Sequence, residues 1–372
     1  MSSRLMVFLL IGLVSAIQAQ VGAPSVTNVR AVQRTGTKIV DITYDLSHPG
    51  NLLSFVSLEV SQDGGVTYAP VTTVSGAIGP GIFAGTDKAI EWRAATDWTP
   101  SLFSNVKVRV KADDAQDMVL VPGGTFEMGY NIYTPVTIQV SPFYIGRTEV
   151  TFREWKFVRD WSVVHGYTDL ANAGNVGSNE DSRPVGNVSW YTVIKWLNAK
   201  SEMEGLPPVY FTTPDRLQIY RTGNIDLTEA HANWSASGYR LPTEAEWEKA
   251  ARGGKANQVY STGSSISVSE ASQTGYDTSG RWNNWPTNVV RYTPTGFGLF
   301  DVAGNAAEWC WDRFANALPT GTNPKGPSSG GERLVRGGYY SNADSRIAAR
   351  VSYPQESGSI AFGFRAAQNA AP

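Results

Sequence analysis

The chain has 372 residues, of which 41% are hydrophobic and 17% charged, with a single cysteine and a formal net charge of −2. This length and composition are typical of a globular protein with two domains. The near-neutral charge excludes a basic surface that neutralises nucleic acid or anionic lipid, and one cysteine excludes an internal disulfide.

The first predicted element is a secretory signal peptide over residues 1–19. Arg4 precedes an apolar run, Leu5–Ile17, which is too short to span a bilayer, and Ala19 stands near a suitable cleavage position. A retained membrane anchor is the alternative interpretation. No later stretch is apolar enough to cross a membrane, so we expect a secreted or cell-surface protein with no membrane span after signal removal.

Residues 20–113 carry the alternating pattern of half-buried β-strands. Apolar residues recur at every second position in three runs, and Asp63-Gly64-Gly65 provides a hairpin signal between two runs. The runs contain Val40, Ile42, Tyr44 and Leu46, then Val56, Leu58 and Val60, and later Val106, Val108 and Val110. The pattern predicts an all-β sandwich of the Ig-like or fibronectin-like kind, acting as a spacer.

An acidic linker, residues 114–117, separates this domain from a second one over residues 118–372. Helical spacing of apolar residues predicts helices over 151–161 and 190–202. A third helix is predicted to begin at Thr243, because Thr243 and Glu246 form a capping-box pattern. Long loops rich in glycine, asparagine, serine and tryptophan lie between these helices.

Seven motifs in the second domain resemble the sulfatase-modifying factor, or formylglycine-generating enzyme-like, family. The motifs are VPGGTFEMG (Val121–Gly129), FYIGRTEVTFREW (Phe143–Trp155), RPVGNVSW (Arg183–Trp190), YRLPTEAEWEKAARGG (Tyr239–Gly254), GFGLFDVAGNAAEWCWD (Gly296–Asp312), RLVRGGYY (Arg333–Tyr340) and FGFRAA (Phe362–Ala367). The resemblance implies a loop-rich α+β domain of C-type-lectin-like fold. It does not by itself imply activity, because such folds host both enzymes and binding modules.

The resemblance also implies where the oxidase members of the family hold copper. Their paired cysteines follow the Gly-Gly of the RGG motif, and soft thiolates are the ligands that Cu(I) requires. The matching stretch here, Gly337–Pro354, contains no cysteine. We therefore expect no copper and no catalytic residue of the oxidase type.

Cys310, the lone cysteine, lies in the EWCWD segment before the catalytic positions of the family. We interpret it as a buried, inert thiol between Trp309 and Trp311, with a reactive cysteine as the alternative. Three histidines without ligand spacing disfavour the iron-dependent branch of the family and a Ser-His-Asp hydrolase. Four carboxylates are candidates for a glycosidase pair, which needs two carboxyl groups facing each other across a cleft. We interpret them, and the motif arginines, as structural: Glu244, Glu246, Glu308 and Asp312, with Arg336, Arg350 and Arg365.

A calcium loop is implied by the family resemblance of DVAGNAAE. Carried over residue by residue, its ligands are the side chains of Asp301 and Glu308 and the carbonyls of Gly304 and Ala306. Calcium takes six to eight oxygen ligands, which carboxylates and turn carbonyls supply. The alternative is that both carboxylates cap local structure without a metal.

The segment that lines the substrate groove in the family is the remaining candidate for ligand binding. It offers large tyrosine side chains with adaptable polar neighbours, a combination typical of recognition surfaces. The predicted ligand-binding residues are Tyr339, Tyr340, Asn342, Asp344, Tyr353, Gln355 and Glu356. A solvent-facing loop without a special role is the alternative.

The sequence thus predicts a secreted, non-catalytic family member that acts in extracellular recognition or structure. Its expected partner is an extracellular protein or glycan, or a second copy of itself. The alternatives are a formylglycine-generating-type oxidase or other enzyme, and a self-assembling extracellular filament or surface-layer subunit.

Overall fold

The computed structural model describes residues 24–48, 53–71, 73–97, 105–114, 118–174, 181–267, 286–341 and 344–370. The predicted signal peptide, the greater part of the predicted linker and Asn342 lie outside the described residues. Within these ranges the chain is mainly β-structure, with four α-helices.

The N-terminal part consists of short antiparallel strands and one helical turn. They are β1 (Ser25–Gln33), β2 (Ile39–Ser47), β3 (Leu53–Ser61), β4 (Ala69–Pro70), β5 (Val74–Gly76), β6 (Gly79–Phe83), β7 (Gly85–Arg93), α1 (Ala94–Asp97) and β8 (Lys107–Asp114). One sheet has the order β1-β2-β7-β5, and the other has the order β4-β3-β6 with β8 also paired to β3.

Alternate residues of both sheets share one core, as the period-two pattern predicts. Ile42, Tyr44 and Leu46 on β2 are buried in this core. They share it with every second residue of β3, namely Val56, Leu58 and Val60. The predicted hairpin is confirmed, because β3 pairs with β4 across the turn at Asp63. The Ig-like or fibronectin-like class of this region stays a prediction.

The three long helices of the second part begin where hydroxyl side chains cap them. They are α2 (Phe152–Val163), α3 (Trp190–Met203) and α4 (Glu244–Arg252). Thr151, Ser189 and Thr243 each accept a hydrogen bond from the backbone N–H three residues further on. The predicted capping box is confirmed, since the Glu246 carboxylate accepts the Thr243 N–H at 2.8 Å. The two predicted helices are confirmed as α2 and α3, but α3 is not amphipathic, because nearly all of its residues are buried.

Ten short strands complete the described ranges of the second part. They are β9 (Met118–Val121), β10 (Gly124–Met128), β11 (Val136–Val140), β12 (Phe143–Gly146), β13 (Ala307–Arg313), β14 (Gly321–Thr322), β15 (Glu332–Arg336), β16 (Val351–Pro354), β17 (Phe362–Gly363) and β18 (Ala367–Asn369). They form three sheets in the orders β10-β11-β14, β18-β12-β9 and β16-β15-β13-β17.

Strand β13 is the centre of this part because it is buried along its whole length. Trp309 and Trp311 on one face pack into a core with helices α2 and α3. Cys310 on the other face packs into a second core with Trp247 and Leu334. The predicted site residues that the structure describes therefore lie on this sheet or in the loops that flank it.

Two cation–π contacts connect the N-terminal strands to the second part. The Arg147 guanidinium lies 5.3 Å from the ring centre of Phe55, and that of Arg153 lies 4.2 Å from Phe83. The exact domain boundary stays a prediction. None of the helices in the described ranges has the length and apolarity that a membrane span requires.

Candidate functional site

Asp301, the first predicted calcium ligand, directs its carboxylate at backbone amides. The residue adopts a left-handed conformation, with φ of 58°, and its oxygens accept hydrogen bonds from Val290, Arg291 and Tyr292 at 2.5, 3.1 and 3.0 Å. Burial raises the pKa of Asp301 to about 6, although these amides act in the opposite direction. Its acceptor sites are thus used by the loop that precedes it.

Glu308, the second carboxylate of the predicted set, is paired with a cation of the protein. Both of its oxygens accept from the Arg365 Nε, at 2.8 and 2.9 Å, and one also accepts the Trp247 indole N–H at 2.7 Å. Both charged side chains are at most 1% exposed. Burial raises the pKa of Glu308, and the neighbouring Arg365 opposes that shift.

These contacts do not fit a calcium ion at Asp301, Gly304, Ala306 and Glu308. Both carboxylates are already bonded to N–H donors, and the Arg365 guanidinium stands where a cation is required to neutralise Glu308. Across the part of the chain that the structure describes, no group of three or more histidine, cysteine, aspartate or glutamate side chains is arranged to hold a metal. The calcium site stays a prediction that this donor arrangement does not support.

The predicted recognition segment is divided between exposed and buried side chains. Tyr339, Asp344 and Tyr353 are half-buried and line one shallow depression, while Glu356 is exposed. The ring centres of Tyr353 and Phe362 are 4.4 Å apart, so Phe362 supports the Tyr353 ring.

Two members of the predicted set are buried, and the structure does not support them as contact residues. Tyr340 is 8% exposed and Gln355 is 5% exposed. The main-chain carbonyl of Gln355 accepts a hydrogen bond from the main-chain N–H of Trp190 at 3.0 Å. The depression itself encloses about 10 Å³, room for a single water molecule at most, so any partner rests on this surface instead of entering it.

Cys310 is confirmed as a buried thiol, but its predicted surroundings are wrong. Its side chain is fully buried on the face of β13 opposite to Trp309 and Trp311, because neighbouring residues of a strand point to opposite faces. Burial raises the pKa of Cys310 well above its usual range. A neutral, enclosed thiol is neither a nucleophile nor a soft metal ligand.

The carboxylates considered as a glycosidase pair are confirmed as structural. Glu244 is bonded to Arg336 and Arg350, both at 2.6 Å, and Glu246 is bonded to Arg240 at 2.7 Å. Asp312 accepts the backbone N–H of Glu244 at 2.8 Å. The motif arginines therefore tie loops together, as predicted.

One polar feature was not predicted from the sequence. It is a pair of buried arginines where the end of β13 lies beside the start of β15. Arg313 and Arg333 are partners in the antiparallel register of these strands. A cavity of about 350 Å³ and an adjoining one of about 50 Å³ both reach Arg313 and Lys325. The signal available in the sequence was the arginine at position 313, which continues the buried face of Trp309 and Trp311.

Comparisons with known proteins identify the family of the second part of the chain. The family model for the sulfatase-modifying factor enzyme 1-like domain matches residues 103–370. The chain is 32% identical over 259 residues to the chaperone protein LppX of Paenibacillus barcinonensis, a match that covers 64% of this chain and 83% of the relative. It is also 32% identical over 305 residues to the formylglycine-generating enzyme of Streptomyces coelicolor, covering 68% and 89%.

Among solved structures, the chain is similar to Treponema denticola variable protein 1. The TM-score is 0.55 at 28% identity, and the match covers 68% of this chain and 95% of the other. The structure of CarF is similar to the same degree, with a TM-score of 0.55, 27% identity, and 68% and 98% coverage.

Proposed function

Because the chain belongs to the sulfatase-modifying factor enzyme 1-like family, we propose that it is an exported, non-catalytic member serving extracellular recognition or structure. The observation that carries this proposal is the position of cysteine in the domain. The segment Gly337–Pro354 contains no cysteine, and the lone Cys310 is fully buried on the central strand. The domain thus offers no accessible thiolate pair to bind Cu(I) or to attack a substrate.

The recognition surface of this proposal comprises Tyr339, Asp344, Tyr353 and Glu356. Tyr339 and Tyr353 are supported by Phe362 and present part of each ring to solvent, so little side-chain entropy is lost when a partner binds. Asp344 is held by Arg346 at 2.7 Å and Glu356 is exposed. A flat surface of two aromatic and two acidic side chains suits a protein or glycan partner better than an enclosed small molecule.

A protein partner is the version that we favour, because one similar protein is named a chaperone. The N-terminal strands, which we propose to form an Ig-like or fibronectin-like spacer, would hold the recognition domain away from its attachment point.

An array of extracellular peptides and glycans tests the proposal. The double variant Tyr339→Ala with Tyr353→Ala is expected to weaken capture by about 30-fold, as for the loss of about 2 kcal/mol at aromatic hot spots. Tyr68→Ala, at another half-buried tyrosine in the N-terminal part, is the matched control and is expected to leave capture unchanged. Capture that is indifferent to the double replacement, or that is lost equally in the control, would show the surface to be wrong.

A second candidate function is a formylglycine-generating-type oxidase, which the similarity to the enzyme of Streptomyces coelicolor favours. Incubation of the purified protein with a Cys-x-Pro-x-Arg peptide, copper and oxygen discriminates between the two. Our proposal predicts an unchanged peptide mass. Conversion of the cysteine to an aldehyde, persisting in Cys310→Ala, would establish the enzyme and refute the non-catalytic role.

A further inference from the structure

Two arginines face each other across strands β13 and β15, where one expects opposite charges or apolar residues. Arg313 and Arg333 are directly paired in register and are 3% and 1% exposed. Like charges at directly opposed positions of a sheet are destabilising, and burial makes the desolvation of each cation more costly. The sheet therefore contains a local excess of positive charge that requires compensation.

The protein compensates for this excess with aromatic rings and one exposed carboxylate. The Arg333 guanidinium lies 3.8 Å from the ring centre of Trp190 and 5.1 Å from that of Trp311. Asp226 forms an ion pair with Arg313 and lies 3.7 Å from Arg333, but its side chain is 57% exposed. The other bonds of Arg333 go to the carbonyls of Trp311 and Leu227, at 2.6 and 2.7 Å, and its buried Nε has no hydrogen-bond partner. Burial, reinforced by the neighbouring Arg313, lowers the pKa of Arg333 to about 9.

Asp312 is the other carboxylate close to this pair, and it does not balance the charge. It precedes Arg313 on β13 and accepts the Glu244 N–H, while its second oxygen is buried without a hydrogen bond. Burial raises the pKa of Asp312 well above its usual range, which favours its neutral form.

The cavities beside the arginine pair combine cationic groups with apolar residues, and each also has one carboxylate in its lining: Glu229 in the smaller cavity and Glu244, which is bonded to Arg350, in the larger one. The smaller one, about 50 Å³, is lined by Arg313, Arg333 and Lys325 and has room for a carboxylate group. The larger one, about 350 Å³, shares Arg313 and Lys325 and continues along Leu318 and Pro319. Lys325 carries three N–H donors, and its carboxylate contact at 3.1 Å is Glu229, which is 64% exposed. A cavity of this volume is within the range of small-ligand sites.

We propose that these adjoining cavities bind a ligand that carries a carboxylate on an apolar group. The carboxylate would lie in the smaller cavity between Arg313 and Lys325, where a planar two-oxygen anion matches the guanidinium fork. The apolar group would occupy the larger cavity against Leu318 and Pro319. Asp226 acts as an internal competitor, because its exposed carboxylate occupies the same guanidinium. This site is separate from the tyrosine surface, so either one can fail without the other.

Isothermal titration of the full chain with 4-phenylbutyrate tests the site. Binding is expected for the acid and not for 4-phenylbutyramide, which has the same shape without the charge. Lys325→Met is expected to weaken binding by at least about tenfold and Arg313→Met to abolish it. Asp226→Asn is expected to tighten binding several-fold, since it removes the competitor. Arg93→Met, at a side chain that is 69% exposed on β7, is the control and should have no effect.

The opposite signs expected for Lys325→Met and Asp226→Asn keep the test decisive if Arg313→Met does not fold. Absence of binding by the acid, equal binding of the amide, or weaker binding in Asp226→Asn would each overturn the proposal. Two further ligands identify the source of the carboxylate. Preference for acetyl-Pro-Leu with a free C-terminus over the methyl glycoside of galacturonic acid supports a peptide end as the ligand, and the reverse preference would overturn the apolar half of the proposal.

Discussion

Replacement of Arg365 by methionine tests whether a guanidinium, and not a metal ion, neutralises the acids around Asp301. Arg365 is fully buried, with its Nε on Glu308 and its other nitrogens on the carbonyls of Arg147 and Phe300, at 2.9 and 2.5 Å. It also lies 3.7 Å from the buried carboxylate of Glu149. The variant keeps the volume of the side chain but leaves these acids without their cation.

The expected loss is about 3–5 kcal/mol of unfolding free energy, as for other buried ion pairs from which one partner is removed. At about 2–4 °C per kcal/mol for a domain of this size, the melting temperature falls by ~6–20 °C. Combining Arg365→Met with Glu308→Gln is expected to recover part of the loss, because the second change removes the uncompensated charge and keeps an acceptor for Trp247. Thermal unfolding followed by tryptophan fluorescence at pH 7 measures both effects.

Arg93→Met is the matched control, expected to change stability by less than about 0.5 kcal/mol because its side chain is 69% exposed. A loss below about 1 kcal/mol in Arg365→Met would refute the reasoning. Full recovery of that variant by millimolar calcium would do so as well, because it would show that an ion performs the role assigned here to Arg365.

Three further predictions concern the same strand and loop. Chelation of calcium with EDTA is expected to leave the melting temperature within about 1 °C, because Asp301 and Glu308 are bonded to N–H donors; a fall of several degrees would support the calcium loop. Cys310 is expected to resist a maleimide reagent in the folded protein and to react once urea unfolds it, and modification of the native protein at the rate of a free thiol would contradict its burial. The raised pKa of Asp301 makes its contribution to stability greatest below about pH 4 and progressively lost as pH rises through about 6. Between pH 7 and pH 5, the unfolding free energy of the native sequence should therefore rise by about 1 kcal/mol relative to that of Asp301→Asn, and its melting temperature should rise with it. A difference between the two proteins that does not change with pH would contradict the raised pKa of Asp301.

Local sequence determined those features of the structure whose interacting groups lie within a few residues of each other in the chain. Thr243 and Glu246 predict the start of α4, because the capping bonds join atoms three positions apart. Alternation predicts which face of β2 is buried, because strand geometry repeats every two residues. The absence of cysteine from Gly337–Pro354, which excludes copper held by paired thiolates in that segment, is likewise read directly from the letters.

Only the tertiary structure decided what each of the charged residues contacts. Glu308 has a spacing that suits a metal loop, yet its partner is Arg365, which lies 57 positions away in the chain. Arg313 and Arg333 become neighbours only when β13 pairs with β15. A carboxylate can bind a metal ion, an amide N–H or a guanidinium, so local spacing leaves its partner undetermined. The partner of each carboxylate is the donor that chain packing brings within about 3 Å of its oxygens.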